Sequence, residues 1–404
     1  MQLPSDLSTQ IRDTIGLAGE PGRIRLVCAM SGGVDSSVAA ALLKQAGFDV
    51  IGITLQLYDH GAAVNRKGSC CAGQDIHDAR RVAAQIGIPH YVLDYESRFR
   101  AEVIDDFVTS YINGETPVPC IRCNQTVKFT DLIARAKALG AAALVTGHYV
   151  DSAPAADGSG RRELLTPADM SRDQSYFLFA TTQSQLDYLR FPLGRIRKAL
   201  TREIAAALAL SVAEKPDSQD ICFVPDGRYA GLIAKLRPDA MEGGDIVHED
   251  GRKLGRHPGI AHFTVGQRKG LGIADREPLY VIRIEPRSRR IVVGPRSSLV
   301  GYDMELAAFN WLGGELPRRP KSVFAKIRST RPPCEAEIGA GEYLPRVRIA
   351  AGVHAVAPGQ ACVLYERPAS GARVLGGGFI ARANRTSGDL SESVPAAKEA
   401  VVAA

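Results

Sequence analysis

Residues 24–43 decide more about this chain than any other stretch of it. An apolar run, Ile24-Arg-Leu-Val-Cys-Ala-Met30, passes at once into Ser31-Gly-Gly-Val-Asp-Ser-Ser37 and then into Val38-Ala-Ala-Ala-Leu-Leu43. The first run is short, branched and apolar, as a buried parallel strand is; the last has the composition of a helix start. The chain must therefore turn tightly from strand to helix across Gly32 and Gly33. Glycine accepts backbone conformations that other residues resist, and leaves no Cβ between the amides and an incoming anion. Free amides at a helix N-terminus, flanked by small hydroxyl side chains, form a cradle for phosphate or pyrophosphate. The loop lacks the Gly-Lys-Ser/Thr ending of a P-loop and the Gly-x-Gly-x-x-Gly spacing of a dinucleotide fold. An ordinary βα turn rich in small residues is the plain alternative.

The segments that follow repeat the alternation. Strands are expected at 49–57, 90–94 and 143–146, with helices ending near Gly47, near Asp75–Ile86, at Arg98–Ile112 and at Lys128–Leu139. Strands alternating with helices give a parallel sheet covered on both faces, with ligands at the carboxyl ends of its strands. That rule groups the glycine loop, Leu55 and Gly147 on one edge. From about residue 219 the texture changes to short alternating apolar runs separated by turns: 263–265, 279–284, 290–293, 322–328 and 361–365. This pattern reads as small β domains. The expected organisation is an N-terminal arm over 1–22 and an α/β nucleotide-binding domain over 23–218. Two small, mostly-β domains follow over 219–300 and 301–385, the last a β-barrel, and then a disordered tail over 386–404.

At 404 residues the chain is too long for one core. It contains no run of about 18 apolar residues, and Met1-Gln-Leu-Pro-Ser-Asp is not a basic-then-apolar leader. The expectation is a cytoplasmic protein with no membrane partner and reduced thiols. Eight cysteines in that setting point to catalysis, sulfur handling or metal rather than to structural disulfides. Residues 221–404 hold 27 Lys and Arg against 19 Asp and Glu, a net of +8, whereas the remainder is net −2. Such an excess suits a polyanionic partner, or a solvated basic surface without one.

Two cysteine contexts stand out. In Pro117-Val-Pro-Cys-Ile-Arg-Cys-Asn-Gln-Thr-Val-Lys-Phe129, prolines hold the chain extended and place Cys123 close to a helix N-terminus, near Arg122 and Lys128. Those neighbours favour a reactive thiolate. In Lys215-Pro-Asp-Ser-Gln-Asp-Ile-Cys-Phe-Val224, Cys222 falls at a domain boundary. Cys28, Cys334 and Cys362 read as small buried hydrophobes, and Cys70, Cys71 and Cys120 are open between the two roles.

Ser-Gly-Gly-x-Asp-Ser in its strand–helix setting resembles the pyrophosphate loop of the ATP pyrophosphatase superfamily. With it, in order, come Gly68–Asp75, Pro117–Phe129, Thr146–Tyr149, Arg172–Phe177, Asp217–Phe223, Phe263–Leu271 and Gly376–Ile380. The series is similar to the tRNA-specific 2-thiouridylase family over roughly residues 22 to 384. The resemblance implies an enzyme that uses ATP, with Mg²⁺, to adenylate C2 of the wobble uridine in the anticodon stem-loop of tRNAs for lysine, glutamate and glutamine. Sulfur from a persulfide donor protein then replaces the oxygen. Carried onto this chain, Ala29, Met30, Ser31, Gly32, Gly33, Val34, Asp35, Ser36, Leu55 and Gly147 would bind the nucleotide. Cys222 would carry the persulfide, and Cys123 would act as the nucleophile that closes a Cys123–Cys222 disulfide. His148, Arg172, Asp173, Gln174, Arg328, Ser329 and Gln360 would contact the tRNA.

One departure opens an alternative. Many family members have Asp where this chain has Cys120, so Cys120, Cys123 and Cys222 form a three-thiolate set of the kind that holds an iron–sulfur cluster. Two other readings keep the glycine loop: an amide ligase of the GMP synthetase or argininosuccinate synthase type, in which the cysteines would be idle, and a non-catalytic tRNA-binding protein.

Overall fold

The structure is a computed structural model, and it describes residues 5–58, 71–217, 221–224, 227, 229–317, 319–341 and 343–384. Two compact units emerge from its internal contacts. The first comprises residues 1–102, 121–219 and 369–374; the second comprises 103–120, 220–368 and 375–404.

The first unit is built on a five-stranded parallel sheet in the order β3-β2-β1-β4-β7. Its strands are β1 (Arg25–Ala29), β2 (Asp49–Gln56), β3 (His90–Asp94), β4 (Ala143–Val145) and β7 (Leu189–Arg190). Leu26, Val27 and Cys28 of β1 and all three residues of β4 are fully buried. Strands covered on both faces need such unbroken apolar runs. Between β4 and β7 the antiparallel pair β5 (Asp151–Pro154) and β6 (Arg162–Leu165) is inserted.

Helices of the first unit include α1 (Ser5–Ile15), α2 (Val34–Gln45), α3 (Cys71–Ile86), α4 (Glu96–Phe99) and, from residue 121, the end of α6 (Pro119–Cys123). Ile11 and Ile15 of α1 lie in the same core cluster as β1 and α2, so this helix is docked on the core of the first unit. α2 is buried along most of its length, its run of alanines allowing close approach to the sheet. The expected helix at 98–112 starts at Glu96 and includes a π-helical stretch, Arg100–Ile104, before α5 (Asp105–Ile112).

A larger correction concerns the next helix. It begins at Pro119 rather than Lys128, runs through a π-helical segment, Asn124–Asp131, and ends in α7 (Leu132–Ala138). Proline suits the first helical position because its missing N–H would have no partner there. The prolines thus start the helix instead of delaying it. Cys123 sits inside continuous helix and is 7 % exposed.

In the second unit, β8 (Gly244–His248), β9 (Lys253–His257), β10 (Tyr280–Glu285) and β11 (Arg290–Gly294) form a four-stranded sheet in the order β10-β11-β8-β9. The expected strand at 263–265 is instead a turn. Phe263 ends the 3-10 turn Ile260–His262, and Gln267 Oε1 accepts the Thr264 amide at 3.0 Å. The barrel is closed by six strands in the order β12-β15-β14-β13-β16-β17. These are β12 (Val300–Trp311), β13 (Lys321–Lys326), β14 (Cys334–Gly339), β15 (Arg346–His354), β16 (Ala361–Tyr365) and β17 (Val374–Asn384). Met304, Leu306, Val323, Ile338, Val347, Leu364 and Ile380 fill its interior. Closure leaves no strand edge exposed for pairing with another chain. The expected tail at 386–404 lies outside the described residues. Among the described residues no helix is long and apolar enough to cross a membrane.

Candidate active site

The parallel sheet reverses its strand order at β1: β2 and β3 lie on one side of it, β4 on the other. Ligands of such sheets collect at the carboxyl ends of the strands flanking that reversal. A cleft of about 220 Å³ opens there, lined by Ala29, Met30, Ser31, Asp35 and Ser36 after β1 and by Ile53, Leu55 and Leu57 on and after β2. Thr146, Gly147 and His148 after β4, with Lys128, Leu132 and Gln174, complete the wall.

The glycine loop is shaped by hydrogen bonds within itself. Ser36 Oγ accepts from the Ser31 amide at 3.1 Å, and Ser37 Oγ donates to the Gly33 carbonyl at 2.8 Å. Gly33 is the N-cap of α2 and provides no side-chain cap. The first amides of a helix have no partner within it, so those of α2 are left to a ligand. Gly32 has φ +78°, and a Cβ there would stand 2.1 Å from the Asp75 carbonyl oxygen. At Gly147 a Cβ would meet the Ser36 nitrogen at 2.8 Å. These two positions need glycine because α2 is pressed between α3 and the end of β4. The result is a polar, amide-rich end joined to an apolar strip (Ile53, Leu55 and Leu57), a shape that suits a purine nucleotide's phosphates and base.

Two lysines clamp this loop, and neither was expected. Lys215 Nζ donates to the Gly32 carbonyl at 3.0 Å, Asp75 Oδ1 at 2.7 Å and Asp78 Oδ2 at 2.6 Å. Burial alone would raise the Asp78 carboxyl, but hydrogen bonds from Lys215 and Gln74 hold it below its ordinary range. Lys198, from helix α9 (Lys198–Ala207; α8 is Gln183–Tyr188), holds both oxygens of Asp35, at 2.7 and 2.9 Å. The Tyr149 hydroxyl donates to Asp35 Oδ1 at 3.1 Å, and burial pushes its ionisation up. Lys215 and Asp217 stand in a stretch singled out from the sequence for Cys222 alone. Tyr149 sits likewise in Thr146–Tyr149, where only Gly147 and His148 were assigned.

The expected tRNA-contacting residues are placed as follows. His148 lines the cleft; its Nδ1 is 2.8 Å from Thr146 Oγ1. Burial first, and the nearby Lys128 second, push its pKa down to about 3, so the ring is neutral at physiological pH. Gln174 lines the cleft too, and its Oε1 accepts the Tyr149 amide at 2.7 Å. Asp173 Oδ1 accepts the Ser175 amide at 2.9 Å. Arg172 forms an ion pair with Asp217 at 3.1 Å and keeps nearly half of its side chain exposed. In the second unit, Arg328 donates to the Ala355 carbonyl at 3.0 Å and Gln360 to the Thr116 carbonyl at 3.1 Å. Ser329, next in chain to Arg328, is partly exposed.

Six cysteines are described as thiols. Cys28 and Cys362 are buried; the Cys28 thiol is pushed up to about 12 and that of Cys362 still higher. Cys120 and Cys222 are exposed, and Cys123 is buried. Cys222 lies between Ile221 and Phe223, which pack against the cluster of Phe107, Val108 and Tyr111. Cys70 lies outside the described residues, and Cys71 is described only as the start of α3. Among the described residues no group of three His, Cys, Asp or Glu is arranged to hold a metal ion.

Three family models match the chain in series: a tRNA methyl transferase HUP domain over 24–226, a tRNA methyl transferase PRC-barrel domain over 232–295 and an aminomethyltransferase β-barrel domain over 302–380. A tRNA-specific 2-thiouridylase MnmA from Brucella ovis is 58% identical over 377 residues, covering 92% of this chain and 94% of that one. One from Rhodopseudomonas palustris is 60% identical over 372 residues, covering 91% and 92%. Among solved structures, a 4-thiouridine synthetase–RNA complex with bound ATP is similar at 17% identity over 53% of this chain and 50% of that chain. Its TM-score of 0.34 is too low to bear on the site. Identity at this level over nine-tenths of both chains, with the domain series intact, means that the chain belongs to the tRNA-specific 2-thiouridylase family.

Proposed function

We propose that this chain is a tRNA 2-thiouridylase, which activates C2 of the wobble uridine with ATP and exchanges its oxygen for sulfur held on Cys222. The observation that carries the reading is the cleft at the strand reversal. It combines uncapped α2 amides with an apolar strip and a neutral His148 in one wall. An amide-like carbonyl oxygen is a poor leaving group, and adenylation converts it to a good one.

In this reading the amides of Gly33 to Ser36, with Ser31 and Ser36 Oγ, bind the polyphosphate of the substrate ATP. Ala29, Met30, Val34, Leu55 and Gly147 shape the rest of the nucleotide site. The loop holds the departing pyrophosphate while uracil O2 takes the adenylyl group. Cys222, exposed to solvent, accepts sulfur from a persulfide donor protein. Its terminal sulfur attacks C2 and expels AMP with the old oxygen. Cys123 thiolate then attacks Cys222 Sγ, which frees the thiocarbonyl sulfur and leaves a Cys123–Cys222 disulfide for an external reductant to reopen. His148, Arg172, Asp173, Gln174, Arg328, Ser329 and Gln360 contact the tRNA, and the cytoplasm provides the reducing setting.

A protein-held Mg²⁺ does not fit this cleft. Asp35 is the acidic residue in its wall among those described, and Lys198 occupies both its oxygens. Mg²⁺ therefore enters as part of the MgATP substrate. For the iron–sulfur alternative, no group of three His, Cys, Asp or Glu among the described residues is arranged to hold a metal ion.

The test is AMP release from ATP with purified tRNA. The reading expects release that requires a tRNA with uridine at the wobble position. Equal release without tRNA, or with cytidine at that position, contradicts it.

A further inference from the structure

Asp35 presents a difficulty for an ATP site. It is the second residue of α2 and lines the cleft, so a carboxylate faces the place where a polyanionic substrate must bind. Like charges a few ångströms apart in a partly buried cleft repel strongly. The structure supplies the answer in Lys198, which is 7 % exposed. Its Nζ grips both Asp35 oxygens and also meets Asp217 Oδ1 at 2.8 Å. The ammonium lies 5.7 Å from the centre of the Tyr149 ring, whose hydroxyl donates to the same Asp35.

The lysine is itself fixed. Its backbone amide donates to Asp169 Oδ2 at 3.0 Å, which pins the first turn of α9. Asp217 is shared with Arg202 at 2.7 Å and Arg172 at 3.1 Å, so it does not depend on Lys198 for neutralisation. Asp35 does: Lys198 is the cation it pairs with among the described ion pairs. The Lys215 clamp is separate, engaging Gly32, Asp75 and Asp78.

We propose that Lys198 is a positioning residue of the ATP-cleaving half-reaction, neutralising Asp35 and holding it against α9 so that the glycine loop accepts a polyphosphate. This rests on reading the cleft as the ATP site. It assigns to Lys198 no contact with substrate; its effect passes through Asp35. The role differs from that of a general structural ion pair, because its removal is harmful only while residue 35 carries a carboxylate.

The experiment is a double-mutant cycle read by calorimetric titration with MgATP alone, on the full chain and without tRNA. Lys198→Met should weaken ATP binding by about tenfold or more, and Lys198→Arg, which keeps the charge, by less than about threefold. In the steady state Lys198→Met should raise the KM for ATP more than it lowers kcat. Placed on Asp35→Asn, the same Lys198→Met change should cost less than about threefold, because no carboxylate is left exposed to the phosphates. An equal loss in both backgrounds, or Lys198→Met binding ATP like the unaltered protein, overturns the proposal. Should Lys198→Met alone fail to fold, the comparison of the double variant with Asp35→Asn decides. ATP binding and tRNA-dependent AMP release by the unaltered protein report on the ATP-site reading itself. With those intact, an indifferent Lys198 removes this inference alone.

Discussion

Lys215→Met removes the clamp between the glycine loop and α3 while keeping an apolar stem of similar length. The ammonium spends all three of its donors, on the Gly32 carbonyl, Asp75 and Asp78. The Asp78 side chain is 10 % exposed, so its bond to a charged donor contributes about 1.5–3 kcal/mol. Asp75 is 46 % exposed, and solvent screening limits its share to about 0–1 kcal/mol. The expected loss is about 1.5–4 kcal/mol, which for a unit of about 200 residues lowers Tm by about 3–16 °C.

The pH window follows from the same contacts. Asp78 is held below its ordinary value of 3.8 despite burial, so its contribution is present above that value and is lost as pH falls through the lower folded one. Burial opposes the charge on Lys215, but Asp75 and Asp78 prevail and raise it above 10.5. Its contribution is therefore complete below 10.5 and lost as pH rises beyond the folded value. The gap in Tm between the unaltered protein and Lys215→Met should be constant from about pH 5 to pH 9. Scanning calorimetry at both ends of that range measures it. A gap under 1 °C, or one that changes severalfold between those two pH values, refutes the clamp.

Two further outcomes are expected. Gly32→Ala forces a Cβ to within 2.1 Å of the Asp75 carbonyl at a positive φ, so the loop must move; titration calorimetry should show at least a hundredfold loss of ATP affinity, about 2.7 kcal/mol. Iodoacetamide at neutral pH should label Cys120 and Cys222 at least about tenfold faster than Cys28 and Cys362, whose thiols are buried and raised. Peptide mapping by mass spectrometry reads this directly, and early modification of Cys28 would contradict the burial of β1.

The sheet and its glycine loop were readable because Leu26–Met30 and β4 are unbroken apolar runs, and because Ser31–Ser37 combines glycines with hydroxyls directly at a strand end. The loop's support was not. Asp35 and Lys198 are 163 positions apart, and Gly32 and Lys215 are 183 apart, so no local pattern joins them. The helix start at Pro119 was misplaced because proline before a cysteine pair reads equally as an extended segment or as a first helical residue. The strand β12 escaped notice for another reason. Its pairing with β17 shifts register between Glu305 and Leu306 and again between Ala307 and Asn310, with Ala308 at φ 45°. Each shift breaks the two-residue alternation by which a strand is recognised. Of the proposed tRNA contacts, Asp173 accepts the amide two residues on and Arg328 donates to a carbonyl 27 positions away, bonds that residue type alone does not disclose.

The central claim is that one chain couples ATP cleavage to sulfur delivery through Cys222. Its most direct test is nucleoside mass spectrometry of unmodified substrate tRNA incubated with the protein, ATP and a persulfide donor, with AMP measured in parallel. The account predicts one 2-thiouridine at the wobble position per AMP released, and with Cys222→Ser no thiouridine while adenylated tRNA still forms. Thiouridine made without ATP, or full thiolation by Cys222→Ser, would contradict it.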